Sequence, residues 1–94
     1  MMDKRKTVEI DLDFPIEVDG REVDKVTMRR PKVDDELTFS EAKGSQARKA
    51  VVLLAALCEL TPKQVGSMDT ADFAKLEKQY ADFRGSQPAS SDGP

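Results

Sequence analysis

The stretch Thr7–Pro31, TVEIDLDFPIEVDGREVDKVTMRRP, decides how the rest of this chain is read. Val8, Ile10, Leu12, Phe14, Ile16 and Val18 alternate with Glu9, Asp11, Asp13, Pro15 and Glu17. A period of two with one acidic face describes a half-buried strand. Asp19-Gly20 supplies the positive φ angles of a tight hairpin turn. In the returning strand Val26 and Met28 share a face, but Val23 has the opposite parity. A bulge near Asp24-Lys25 would restore the register. Pro15 cannot donate a ladder hydrogen bond, so the first strand should be an edge there, or bulged. Pro31 ends the second strand and holds Arg30 extended. A lone two-stranded hairpin is marginal in water. This one must lean on the helices behind it or on another chain.

Everything after Pro31 reads as helix. The first helix covers roughly Val33 to Lys43, with Asp34, Asp35 and Glu36 at its dipole-favoured start and Gly44 as its stop. Its apolar side is thin: Val33, Leu37, Phe39 and Ala42. A second helix runs from the cap Ser45 to about Leu60. Ala47, Ala50, Val51, Leu54, Leu57 and Cys58 form one stripe on it; Val52, Leu53, Ala56 and Leu60 form another beside it. A surface that wide implies burial on more than one side. Thr61-Pro62-Lys63-Gln64 is a capping box with proline at the first helical position and Leu60 and Val65 as its staple. Asp69 caps a last helix that presents Phe73, Leu76, Tyr80 and Phe83 on one face and ends near Phe83. The fold class is therefore α+β: an N-terminal hairpin over 7–30, then three to four helices over 33–83, in one domain spanning 7–83. The polar segments 1–6 and 84–94 read as a flexible N-terminus and a disordered tail.

The whole chain is 94 residues. Its foldable part is roughly 75 residues, a size at which one core supplies only about 3–5 kcal/mol. A partner or self-association would relieve that shortage. The 15 basic and 18 acidic residues leave a net charge of −3. Acids crowd the first strand, and the basic clusters Lys4-Arg5-Lys6 and Arg29-Arg30-Pro31-Lys32 are short. A nucleic-acid binder needs a basic stripe, so neither DNA nor RNA is an expected partner. Cys58 is the single cysteine, which rules out an intrachain disulfide and suits a reducing cytoplasm. The longest apolar run, Ala50 to Cys58, is far short of a bilayer span, and no signal peptide is recognisable.

Catalytic chemistry has little to work with. The chain has no histidine, which removes the commonest general base and metal ligand. One cysteine cannot make a thiolate cluster. No glycine-rich phosphate loop, GxSxG or HExxH occurs. No enzyme activity, metal or cofactor is expected. Cys58 reads as a small hydrophobe in an apolar helical run, and Tyr80 and Phe83 read as core. The candidate contacts for a partner are Arg29 and Arg30, which point to opposite faces of a strand, and the second stripe Val52, Leu53, Ala56 and Leu60. One arginine can pair with the acids of strand one across the hairpin, leaving the other for a partner carboxylate.

The order of these segments carries a resemblance. Val-Asp-Gly-Arg-Glu-Val (18–23) is followed by Val-Thr-Met-Arg-Arg-Pro (26–31). After an Asp-rich helix start and an Ala/Leu helix come Leu-Cys-Glu-Leu-Thr-Pro (57–62) and Met-Asp-Thr-Ala-Asp-Phe (68–73). Over about Thr7 to Phe83 the chain resembles the tail assembly chaperones of Mu-like phages and prophages. The matching positions are Asp19, Gly20, Arg29, Arg30, Pro31, Leu60, Pro62, Asp69 and Phe73. Lys32 departs from the pattern, which has a small hydroxyl residue to cap the next helix. The resemblance implies a cytoplasmic, non-enzymatic protein that binds the tape measure protein before the tail tube polymerises, with homo-oligomerisation open. It also implies a programmed frameshift product in some relatives. A small tail or baseplate adaptor retained in the virion is the alternative reading.

Overall fold

A computed structural model describes residues 7–85. Of the expected flexible segments 1–6 and 84–94, residues 1–6 and 86–94 lie outside the described residues. The elements are β1 (Thr7–Val18), β2 (Arg21–Arg29), α1 (Val33–Glu41), α2 (Gln46–Cys58), α3 (Pro62–Gly66) and α4 (Thr70–Gly85). The α+β arrangement of a hairpin followed by helices is thus the observed one, and α4 continues through Arg84 and Gly85.

β1 and β2 form a two-stranded antiparallel sheet. Asp19 (φ 54°) and Gly20 (φ 81°) turn it, both in the left-handed region. Pairing runs in one register from Thr7↔Arg29 to Asp11↔Lys25 and in another from Ile16↔Val23 to Val18↔Arg21. Between them Leu12, Asp13, Phe14 and Pro15 face Asp24 alone. The extra residues therefore lie on β1 and not, as the parity of Val23 suggested, on β2 near Asp24-Lys25. Pro15 has no N–H to offer the ladder, so the chain leaves the pairing plane there. This displaces Phe14 from the inward set: Ile10, Leu12 and Ile16 are buried, but Phe14 is 56% exposed.

A bulge this long orphans backbone donors. The N–H groups of Asp13 and Phe14 each donate to Asp72 of α4, to Oδ1 and Oδ2 respectively, at 2.9 Å. Asp72 is fully buried. Lys75, one turn on, lies 3.2 Å from the carboxylates of both Asp13 and Asp72 and donates to the Asp11 carbonyl at 2.9 Å. Burial alone would raise the Asp72 pKa; the two backbone donors and Lys75 more than offset it, holding the carboxyl below its ordinary range.

The apolar face of the sheet packs on α2 and α4. Met28, Leu57 and Leu76 are completely buried at its centre, with Val26, Leu53, Leu54, Met68 and Phe83 around them. Phe73 and Tyr80 pack on this core from its margin, as the spacing on the last helix predicts. α2 is shorter than the sequence suggests. Glu59 adopts a left-handed conformation (φ 58°), and the Leu60 N–H returns to the Ala55 carbonyl at 2.8 Å, a Schellman closure. Leu60 and Val65 then lead into α3, where Thr61 and Gln64 close the expected capping box (2.9 and 3.1 Å). Asp69 accepts from the Ala71 N–H at 2.8 Å and so opens α4.

Candidate interaction surface

α1 is the element least supported by burial, since none of its residues is buried. Val33 is 76% exposed and Leu37 52% exposed. Four residues apart on a helix, they share one outward face. Phe39 alone reaches the core margin. Polar contacts hold the helix instead. Arg29, at the end of β2, grips Asp35 with both terminal nitrogens at 2.8 Å. Asp35 also accepts the Lys32 N–H at 2.7 Å. Lysine has no acceptor to cap the helix, so the Asp35 N–H turns to the Lys32 carbonyl at 3.0 Å and only the carboxylate's bond to the Lys32 N–H is made. It is the reaching-back half of a capping box, present without the other half. The Arg29 hydrogen bonds are the chief reason that the Asp35 carboxyl lies below the ordinary range, against a smaller opposing effect of burial. On the far side, Glu36 accepts from the Tyr80 hydroxyl at 2.8 Å and pairs with Arg84 at 2.9 Å. Burial, then Glu36, pushes the Tyr80 phenol up to about 12, which keeps its proton in place as the donor.

Arg30 lies just past the end of β2 and takes a different direction from Arg29. It donates to the Phe83 carbonyl at 3.1 Å and lies 5.3 Å from the centroid of that ring, within cation–π range. Arg30, Pro31, Lys32, Val33, Glu36, Phe83 and Arg84 together line a cleft of about 310 Å³. Its rim is cationic at Arg30, Lys32 and Arg84, with Glu36 as the one acid.

The candidate contacts read from sequence are therefore dispersed. Arg29 and Arg30 are both engaged, with Asp35 and Phe83, and neither pairs with the acids of β1. That role falls to Lys25, 3.9 Å from Glu9 and 3.8 Å from Asp11. In the second stripe of α2, Leu53 is only 4% exposed; it is part of the core and leaves the list of surface contacts. Val52 and Leu60 are half-buried, and Ala56 is exposed. The hairpin, α1 and α4 cover more of α2 than so short a chain suggested. Cys58 is buried, and burial pushes its thiol up to about 11, so it stays protonated at neutral pH. Sequence reasoning missed Phe14, the outward face of α1 and the cleft. The thin apolar side of α1 was the available signal, since Val33 and Leu37 have too few apolar neighbours for a buried stripe.

Among the described residues, no group of three or more His, Cys, Asp or Glu side chains could hold a metal ion. No described helix is long and apolar enough to cross a membrane.

These observations define a class first: a small α+β protein whose outward features are an apolar helix face and a charged cleft. Its family is a matter of the whole pattern. The family model described as phage tail assembly chaperone proteins, E, or 41 or 14, matches residues 9–85. The chain belongs to that family, one of tail assembly proteins. No curated protein and no solved structure gives a match.

Proposed function

We propose that the chain is a non-enzymatic chaperone that binds the tape measure protein in the host cytoplasm while the phage tail is built. The observation that carries this is the family match over 9–85, set beside a helix that turns Val33 and Leu37 to solvent. An aggregation-prone client helix needs an apolar partner that is not consumed by its own fold. α1 fits, because it is fixed by Asp35 and Glu36 and does not need its apolar face for attachment. Ala56 and the half-buried Val52 and Leu60 extend the contact along α2, and Arg29 and Arg30 act by holding the surface in place.

Co-expression with the tape measure protein tests the reading. A soluble complex should form with the natural chain and be lost with Leu37→Glu, whose exposed position leaves the fold intact. Unchanged tape measure solubility with no co-purification would refute it, as would stoichiometric retention of the chain in purified particles.

A further inference from the structure

The outward face of α1 carries more than its two apolar side chains. Asp34 and Glu41 stand a heptad apart, so both lie along one edge of the Val33–Leu37 pair. Seven residues separate them, or about 10 Å along the axis. Asp34, Leu37 and Glu41 are exposed, and Val33 is 76% exposed. Neither Asp34 nor Glu41 has an ion-pair partner among the described residues. On the opposite edge stands Glu36, already bonded to Tyr80 and Arg84. Residues 33–41 include no lysine or arginine, so the apolar pair is bordered on α1 by acids alone. The fold accounts for the other acids of this helix but not for Glu41. Asp35 holds Arg29, and Asp34 sits in the first turn, where the helix dipole favours a carboxylate. Glu41 is the last residue of α1, where the dipole disfavours a carboxylate, and the last turn has no basic residue to offset it. A cation brought by another chain would recover that loss.

We propose that the outward face of α1 takes a basic amphipathic helix of its partner. The apolar stripe of that helix covers Val33 and Leu37, and its lysines or arginines, a heptad apart, meet Asp34 and Glu41. The proposal rests on the reading of α1 as the client face and adds the chemistry of the client: an equally apolar helix with acidic flanks is rejected. Charges beside an apolar seam act in this way, setting partner choice more than affinity.

The test titrates the full chain with two synthetic amphipathic helical peptides. They share one leucine stripe, flanked by lysines in the first and by glutamates in the second. Fluorescence anisotropy of the labelled peptides gives each Kd, and amide chemical shifts locate the contact. The lysine peptide should bind roughly tenfold or more tightly than the glutamate peptide, shift the amides of residues 33–41 and weaken with added salt. Leu37→Glu should weaken it roughly tenfold or more. The double variant Asp34→Lys with Glu41→Lys should exchange the preference and take the glutamate peptide better. All three positions are exposed, and circular dichroism checks folding. A misfolded chain does not gain a new preference, so the double variant decides the matter even if Leu37→Glu unfolds. Equal binding of the two peptides overturns the proposal, as does a preference that the double variant leaves unchanged. So do shifts confined to the acidic face of β1, or shifts at 33–41 that grow with chain concentration before any peptide is added, which mark a second copy on this face. Co-purification keeps this proposal and the chaperone reading apart. A tape measure protein held equally by the natural chain and the double variant sinks the charge preference and leaves the chaperone; lysine-peptide binding as expected with no tape measure complex does the reverse.

Discussion

Replacing Asp35 with alanine should loosen α1 while leaving the rest of the fold intact. The side chain makes three short contacts: two to the Arg29 guanidinium at 2.8 Å and one to the Lys32 N–H at 2.7 Å. Hydrogen bonds to charged groups are worth about 1.5–3 kcal/mol each where water is excluded. Here they share one carboxylate, and the Arg29 side chain is 30% exposed. Non-additivity and solvent screening therefore cut the total to about 2 kcal/mol. α1 buries no residue of its own, so the Glu36 contacts to Tyr80 and Arg84 and the half-buried Phe39 are what remain to hold it. A cost of about 2 kcal/mol corresponds to about a thirtyfold change in an opening equilibrium. Native-state hydrogen exchange should report it as a loss of protection of that size at the amides of residues 37–41, with α2 and α4 little changed. If those amides keep their protection, the Arg29–Asp35 pair is ornamental. If they lose it only in step with the core, α1 is not a separately opening unit. Either result refutes the reasoning.

Two further outcomes follow from the same electrostatics and burial. Asp35 and Asp72 are both held below the ordinary carboxyl range, so the folded chain binds their protons less readily than the unfolded chain does. Their stabilisation is complete above the unfolded carboxyl pKa of about 4 and fades as pH falls through the lower folded values; a thermal melt series should show Tm constant near neutrality and dropping below about pH 4. A drop already under way at about pH 6 would contradict it. Cys58, with its thiol pushed up to about 11 by burial, should resist a thiol-reactive dye in the native protein and label quickly in denaturant. Rapid native labelling would mean that α2 does not pack as described.

Local signals in the chain were legible and long-range ones were not. Asp19-Gly20, Ser45, the Thr61–Gln64 box and Asp69 announce turns and helix starts because the hydrogen bonds concerned span three or so residues. The apolar spacing of Leu76, Tyr80 and Phe83 likewise placed the inner face of α4. The bulge escaped because parity counting assumes an unbroken ladder, and its support comes from Asp72, 59 positions from Asp13. In the sequence Asp72 is only one more acid in a helix's first turn. Leu53 was misplaced for a related reason. Helical spacing shows that two stripes are apolar, but which one a neighbour covers depends on how far the hairpin and α4 wrap round α2. The cleft is assembled from the connection after β2, α1 and α4, segments that no motif links.

The Asp72 staple also orders events at the ribosome. β1 is made early and Asp72 is made 58 positions after Phe14. At typical synthesis rates of about 5–20 residues per second, that is a wait of roughly 3–12 s. α2 emerges in time to cover the β2 side of the sheet, but the bulge donors of Asp13 and Phe14 stay hydrated until α4 arrives. The hairpin can therefore form during translation, yet it locks only when nearly all of the domain has left the exit tunnel.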